Sequence, residues 1–408
     1  MNSVSLNLKG QGDKQIAVNT TVLQHKIKAC RILFDLVSSL KDAFAPWALS
    51  TLNVLTPLFN YLYNGDIRKY SMKTVVAIFL TLSGDSAESV LRTLTPVFVQ
   101  TLSSPKSSPA DIKRALKSLQ ACLEHTTNKA VIGLAAANEI AVSTSTHVKY
   151  VFDRKAQRKE ELKGFSDPDL YADEIDAIKE ENEIDEKILS GVMEVVGMLL
   201  KGFKKEFQGT FLQYFKTLYG EVFFKEGATD GEILSAICIF DDYVENTQDL
   251  MWAGNSSPIL EQMLKFSTHK NADIRQSAVF GIGVCAQVVD STTFSPFLAQ
   301  ALNNIKTVLT DPKARNDTYT IATDCAVGAL GKLALYHNAS LLEEWVNCLP
   351  IKAELDEAQC VHLMFLQNID KVKTFPRTQT VLTELVNLTK TEEVLDANGM
   401  ALLQQLIN

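Results

Sequence analysis

The sequence has 408 residues, so it predicts either two or three globular domains or an elongated array of repeats. Hydrophobic residues make up 46% and charged residues 22%, which excludes a mostly disordered chain. The 19 glycines and 11 prolines fall below the usual shares of about 7% and 5%, which favours helices over a turn-rich β fold. The formal net charge of −8 excludes a generally basic surface that would attract nucleic acid.

The N-terminal segment gives no sign of a secretory leader, because residues 1–12 are polar without an apolar run. The long uncharged window at 43–65 contains Pro46 and Pro57, and we interpret it as a buried helix rather than a membrane span. The seven cysteines are odd in number and widely spaced. This pattern is typical of small core residues in a reducing compartment.

Three short segments repeat one pattern: Asp66–Arg68, Asp111–Lys113 and Asp273–Arg275 each read Asp-Ile-basic and precede an amphipathic run. The pattern fits the turn between two antiparallel helices. We expect its Asp to cap the second helix, its Ile to be buried, and its basic residue to reach acidic groups of the neighbouring unit. A helix pair of roughly 40–47 residues is the period of HEAT and armadillo repeats.

A Ser-Pro or Thr-Pro marker also recurs along the chain. Pro258 and Pro296 are predicted at helix starts, whereas Pro57 and Pro96 are predicted inside helices already under way. Together the markers predict an all-α, right-handed HEAT-repeat solenoid (an α-α superhelix) of about eight to nine helix pairs. Its second helices are expected to begin near residues 27, 68, 111, 187, 232, 273, 319, 355 and 394.

The step from residue 111 to 187 is too long for one repeat, so an insertion is predicted there. Residues 153–186 contain 13 acidic and 6 basic residues, and the second part, 165–186, has ten acids against one lysine. A solvated loop is the simplest interpretation. Because apolar residues are interleaved with the acids, we favour a segment that binds a basic protein surface. These apolar residues are Leu170, Tyr171, Ile175, Ile178 and Ile184.

Enzyme signatures are absent from the sequence: it has no phosphate-binding loop, no H-E-x-x-H, no G-x-S-x-G and no C-x-x-C. The Gly281–Gly283 segment is interpreted as small residues in a packed helix, and the six histidines have no ligand spacing. No catalytic, cofactor-binding or metal-binding residue is therefore predicted. Asp241, Asp242 and Glu245 form the remaining acidic group. Contact with a basic partner and a local capping role both stay open for them.

Several stretches of the chain resemble one known family, the importin beta-3-type karyopherins of the importin-β superfamily, in their C-terminal part. The resemblance covers nearly the whole chain and lies in segments 237–245, 272–287, 322–332 and 345–358, with further similarity at 21–30, 153–154 and 400–408.

This resemblance implies a fragment of a nuclear import receptor without enzymatic activity or cofactor. Members of this family bind cargo, the GTPase Ran in its GTP form and Phe-Gly nucleoporins, and they move between cytoplasm and nucleus through the nuclear pore. Basic cargo proteins are the expected cargo class, and neither direct nucleic-acid binding nor membrane insertion is expected. The family's greater length implies that N-terminal repeats precede Met1 in the complete receptor.

In this family the acidic insertion corresponds to an additional Ran contact. The resemblance implies one solenoid over residues 1–408, with the insertion at 153–186. A HEAT scaffold subunit of a multi-protein complex, such as a phosphatase, is the alternative function, and stable co-purification with catalytic subunits would distinguish it. The expected partner-binding residues are Asp173, Glu174, Asp176, Glu180, Glu181, Glu183, Asp185, Glu186, Asp241, Asp242 and Glu245.

Overall fold

The computed structural model describes residues 3–7, 15–165, 170–224, 227–250 and 257–407. The chain divides into two compact units, Met1–Thr217 and Leu218–Asn408, and each is described here by itself. The organisation of the whole chain as a single solenoid therefore stays a prediction.

The first unit consists of a short β-hairpin followed by helices. Its elements are β1 (Ser3–Asn7), β2 (Gln15–Asn19), α1 (Thr20–Leu40), α2 (Ala48–Leu55), α3 (Gly65–Phe79), α4 (Gly84–Ser103), α5 (Pro109–His125), α6 (Leu134–Lys163) and α7 (Ala172–Phe203). The division between the units falls within α8 (Gln208–Phe223).

The second unit is helical throughout its described residues. Its helices are α9 (Asp230–Thr247), α10 (Pro258–Phe266), α11 (Ala272–Val288), α12 (Ser291–Thr310), α13 (Thr320–Tyr336), α14 (Leu342–Asn347), α15 (Leu355–Gln367), α16 (Ile369–Val372), α17 (Thr378–Leu388) and α18 (Ala397–Ile407).

Among the described residues, the hairpin at the N-terminus lies outside the predicted helical architecture. β1 and β2 pair antiparallel, with Ser3 opposite Asn19 and Asn7 opposite Gln15. Apolar and polar residues alternate in β1, which is the period of a strand. The sequence analysis read this region only as polar and so missed the strands.

The repeat architecture is confirmed, because each predicted second helix exists and packs on the next one within its unit. In the first unit α1 contacts α3, α3 contacts α5 and α5 contacts α7; in the second unit α9, α11, α13, α15 and α18 form a similar series. The isoleucines of the repeated Asp-Ile-basic pattern are buried as expected: Ile67, Ile112 and Ile274 are at most 3% exposed. Stacking therefore supplies the core that an isolated helix pair lacks.

The predicted capping role of the repeated Asp is wrong at Asp66 and Asp273, whereas Asp111 completes a capping box by accepting a hydrogen bond from the Ser108 backbone N–H. Asn64, Ser108 and Asn271 precede the helices and accept hydrogen bonds from the first backbone N–H groups. A residue ahead of the pattern has the extended backbone that a cap requires, whereas the Asp already lies in the first turn.

The basic residue of the pattern does reach an acid of the next repeat within the same compact unit. Arg68 Nη2 lies 2.9 Å from Asp111 Oδ2, and Arg275 Nη1 lies 3.7 Å from Asp311 Oδ2. Burial raises the pKa of Asp111, but hydrogen bonds from Arg68 and Ser108 outweigh it and hold that pKa below its usual value. The pattern thus links successive repeats electrostatically.

The prolines divide between confirmed and wrong predictions. Pro258 begins α10 after its cap Ser257, and Pro96 lies inside α4, both as predicted. Pro296 lies inside α12, which begins earlier, at Ser291, because Asp290 caps that helix. Gly281 lies within α11, as predicted for a small residue in a packed helix.

Candidate partner-binding sites on two acidic regions

The acidic insertion is a continuation of two repeat helices. α6 has 30 residues and α7 has 32, whereas the next longest described α-helix, α1, has 21. We call residues 153–165 and 170–186 the α6–α7 extension; residues 166–169 of the predicted insertion lie outside the described residues. The predicted helical turns are thus part of a long antiparallel helix pair.

One acid of the extension, Asp185, faces the neighbouring helix. It is 3% exposed, and its carboxylate accepts two hydrogen bonds from Arg154, at 3.0 and 2.5 Å, and one from Arg158, at 2.5 Å. Arg158 is itself buried and also donates to Asn182. A bidentate, charge-assisted contact of this kind joins α6 to α7, so Asp185 has a clear structural use within the chain.

The other seven predicted acids of the extension are exposed. Two of them have a lysine neighbour on the same helix: Lys179 Nζ lies 2.8 Å from Asp176, and Lys187 Nζ lies 3.7 Å from Glu183. Exposed pairs of this type contribute little and leave the surface accessible to a competing cation. The exposed acids are Asp173, Glu174, Asp176, Glu180, Glu181, Glu183 and Glu186.

Some apolar residues of the extension are buried by packing, and others remain exposed. Ile178 is 7% exposed, Ile175 and Ile184 are half-buried, and Leu170 is 71% exposed. The ring of Tyr171 stacks on Phe165 at a centroid distance of 4.8 Å. The buried members hold α7 in place, and the exposed surface of the extension is therefore dominated by carboxylates.

The second acidic region lies on α9. Asp241 is 5% exposed, Asp242 is half-buried, and Glu245 is exposed one turn further on. Burial first, and then the charges of Asp242 and Glu245, raise the pKa of Asp241 well above its usual value. The buried position of Asp241 means that a partner can reach it only through a cavity.

That cavity has a volume of about 250 Å³ and is bounded by α9, α11, α13 and α15. We call it the α9–α15 cavity. Its lining includes three acids that the sequence analysis did not single out, Glu354, Asp356 and Glu357. Burial is the first cause that raises the pKa of Glu357, which is 5% exposed. Glu357 lies within segment 345–358, which carries part of the family resemblance. No local sequence pattern distinguished Glu357 from other acids at helix starts.

The two acidic regions were also compared with the requirements of a metal centre. Among the described residues, no group of three or more His, Cys, Asp or Glu side chains could hold a metal ion. The buried His362 is a satisfied core residue: its Nε2 accepts a hydrogen bond from the Ile351 N–H at 3.2 Å, and its Nδ1 lies 2.9 Å from the Val394 carbonyl oxygen. A search of the described helices found none with the length and apolarity of a membrane span.

Comparison with known proteins places these regions in a family context. Residues 112–222 match the family Importin repeat 6, and this range includes the α6–α7 extension. Solved structures of Kap121p match 99% of the chain. Kap121p bound to RanGTP has a TM-score of 0.71 at 15% identity, and Kap121p alone has a TM-score of 0.69 at 16% identity. Kap121p bound to Nup53p has a TM-score of 0.71 at 15% identity.

The chain is therefore a helical-repeat protein with the karyopherin fold. More particularly, residues 112–222 match the importin repeat family, and the fold of the chain is similar to that of Kap121p, in line with the resemblance seen in the sequence. The chain spans 36–38% of the length of the Kap121p chains that it matches.

Proposed function

We propose that the chain is part of a nuclear transport receptor that binds other proteins reversibly and catalyses no reaction. Its partners are Ran-GTP, basic cargo proteins and Phe-Gly nucleoporins, and its location is the cytoplasm, the nucleus and the nuclear pore. The observation that supports this most directly is the match of residues 112–222 to the importin repeat family. Kap121p, which has a similar fold, has been solved bound to RanGTP and bound to Nup53p.

The exposed acids of the α6–α7 extension are the proposed contact for a basic surface of Ran. The extension presents seven exposed carboxylates. Arg154 and Arg158 pair with the buried Asp185, and of the seven exposed acids Glu181 also lies 3.3 Å from Arg158 Nη1. A rigid helix pair with this charge attracts a basic protein surface and orients it during encounter. Asp185 itself is assigned to the joint between the helices.

The test is binding of the 408-residue chain to Ran loaded with GTP or GDP, measured by biolayer interferometry. We expect binding that depends on GTP, and a triple variant, Glu180→Lys with Glu183→Lys and Glu186→Lys, should weaken it about tenfold or more at low salt. All three positions are exposed, so the circular dichroism of the helices should not change.

A matched control reverses three exposed acids elsewhere in the first unit: Asp35→Lys, Asp42→Lys and Glu206→Lys. It changes the net charge equally but should leave the affinity for Ran within about twofold. Equal loss in both triple variants would show that only overall charge matters and would contradict the proposed contact. Equal affinity for Ran loaded with GTP and with GDP, together with stable co-purification of a catalytic subunit, would favour the scaffold alternative.

A further inference from the structure

Three stacked helices of the first unit, α1, α3 and α5, carry an excess of positive charge. Together they contain nine lysine and arginine residues against four aspartate and glutamate residues, in a chain whose net charge is −8. The three helices pack in series, α1 on α3 and α3 on α5. Charge is therefore separated within the first unit, with cations on these helices and exposed acids on the α6–α7 extension.

One aromatic ring brings cations of α1 and α3 together. Arg31 donates from its Nε to the Tyr70 hydroxyl oxygen at 3.0 Å, and its Cζ lies 5.2 Å from the centre of the Tyr70 ring. Lys69 places its Nζ 5.4 Å from the centre of the same ring. One turn further on, Lys73 places its Nζ 5.5 Å from the centre of the Phe34 ring. Contacts of this kind position a cation without neutralising its charge.

A single carboxylate links the cations of α3 to those of α5. Arg68 Nη2 lies 2.9 Å from Asp111 Oδ2, and Arg114 Nη1 lies 2.7 Å from Asp111 Oδ1. Two guanidinium groups thus share one buried acid. The three side chains together keep one positive charge.

The positive charge continues onto the next second helix, α7. Burial lowers the pKa of Lys113, and the charges of three nearby cations lower it further. These cations are Lys187, Arg114 and Lys117. Lys187 has an acid near it, Glu183 at 3.7 Å, but both side chains are more than 60% exposed, so this pair is weak. Cations of α5 and α7 therefore lie close enough to act on one another.

These contacts connect the cations of four successive second helices into one surface, which we call the α1–α7 stripe. Lys28 is included because it lies three residues before Arg31 and so shares its helix face. The stripe consists of Lys28, Arg31, Arg68, Lys69, Lys73, Lys113, Arg114, Lys117 and Lys187.

We propose that the α1–α7 stripe binds a carboxylate-rich segment of a partner protein. Carboxylates form strong charge-assisted hydrogen bonds with lysine and arginine, and a row of cations on successive helices attracts and orients an acidic chain. This inference goes beyond the proposed contacts with Ran and basic cargo, because it concerns a surface of the opposite charge.

Single-stranded nucleic acid fits the α1–α7 stripe less well than an acidic protein segment. Proteins that bind it without sequence preference stack the bases on free aromatic faces. In the stripe, Tyr70 and Phe34 are half-buried and already have cations over their rings. The stripe therefore offers charge without a stacking platform.

The experiment measures binding of the 408-residue chain to a fluorescein-labelled peptide of alternating glycine and glutamate by fluorescence anisotropy. We expect saturable binding that weakens as salt is added. The triple variant Lys28→Gln, Lys73→Gln and Lys117→Gln should reduce the affinity about tenfold or more. All three lysines are exposed, so the circular dichroism should not change. The corresponding triple arginine variant keeps the charges and should bind within about twofold of the wild type.

A matched control removes three exposed lysines elsewhere in the first unit: Lys106→Gln, Lys149→Gln and Lys205→Gln. It changes the net charge equally and should bind the peptide within about twofold of the wild type. Fluorescein-labelled oligothymidine with the same number of negative charges should bind at least about tenfold more weakly than the peptide, since the stripe has no free rings for its bases.

Three results would overturn the proposal: no saturable binding of the glutamate peptide, equal loss of affinity in the two triple glutamine variants, or oligothymidine that binds as tightly as the peptide. The variants leave the residues of the α6–α7 extension unchanged, so GTP-dependent binding of Ran should be the same in all of them. Failure of this proposal and failure of the proposed function are therefore distinguishable.

Discussion

The two acidic regions treat their buried carboxylates in opposite ways. In the α6–α7 extension, Asp185 is buried beside Arg154 and Arg158, and its two oxygens are satisfied within the chain. In the α9–α15 cavity, Asp241 and Glu357 are equally buried, yet each keeps an oxygen without a partner. Acidity alone therefore does not mark a binding position. A buried acid with its own arginines joins two helices, whereas Asp241 and Glu357 are packed against the backbone of the next helix at Gly281 and Gly328.

The largest expected effect comes from removing the internal cation of the extension. Arg158→Met should lower the free energy of unfolding by about 3–5 kcal/mol, because it leaves Asp185 buried with an incomplete set of partners. Urea unfolding followed by circular dichroism measures this change.

The matched control is Lys163→Met, which removes an exposed pair with Glu160 and should cost less than about 1 kcal/mol. Adding Asp185→Leu to Arg158→Met should recover most of the loss, since the unpaired charge is then gone. Similar stability of Arg158→Met and Lys163→Met would break the distinction between the two regions.

The intermediate effect concerns the pH dependence of Asp241→Asn. Burial, Asp242 and Glu245 raise the pKa of Asp241 well above its usual value, so the folded state binds this proton more tightly than the unfolded state. The stability that the protonated Asp241 provides is present below a pH of about 4 and is lost as the pH rises. Asparagine does not titrate.

We therefore expect Asp241→Asn to gain about 1–3 kcal/mol over the wild type on going from pH 4 to pH 7. Urea unfolding at pH 4, 5.5 and 7 measures the difference, with Glu261→Gln as the exposed control. A constant difference across this range would mean that Asp241 is satisfied in the folded chain.

The smallest effect is expected at the surface of the extension. Lys179→Gln removes the 2.8 Å pair with Asp176, in which both side chains are about 70% exposed, and should change the free energy of unfolding by less than about 0.5 kcal/mol. The same variant makes the surface more acidic. Its affinity for Ran-GTP should therefore rise slightly at low salt, and a loss of affinity would contradict an electrostatic contact through this face.

The sequence predicted the repeats well because their signals are local. The spacing of the Asp-Ile-basic pattern placed the second helices, and Ile67 and Ile274 are buried as expected. Charge counting likewise located the acidic insertion. Each of these inferences depends on residues within one or two helices.

The pairing of the acids could not be predicted in the same way. Arg154 and Asp185 are 31 residues apart in sequence and meet only because α6 and α7 run antiparallel. Glu357 was missed because its position depends on Gly328, which lies on the preceding second helix. Tertiary packing decides whether an acid is exposed, paired or left with an oxygen that has no hydrogen-bond partner. A single sequence does not reveal this packing.

The close approach of Asp241 to Gly281 and of Glu357 to Gly328 has a consequence for how the chain tolerates change. Neither glycine has the positive φ that would require it for backbone reasons, so alanine would be harmless there in an isolated helix. In the assembled repeats a single methyl group would displace the carboxyl group opposite. Saturation mutagenesis scored for the yield of folded protein should find these two glycines restricted, although they carry no functional group.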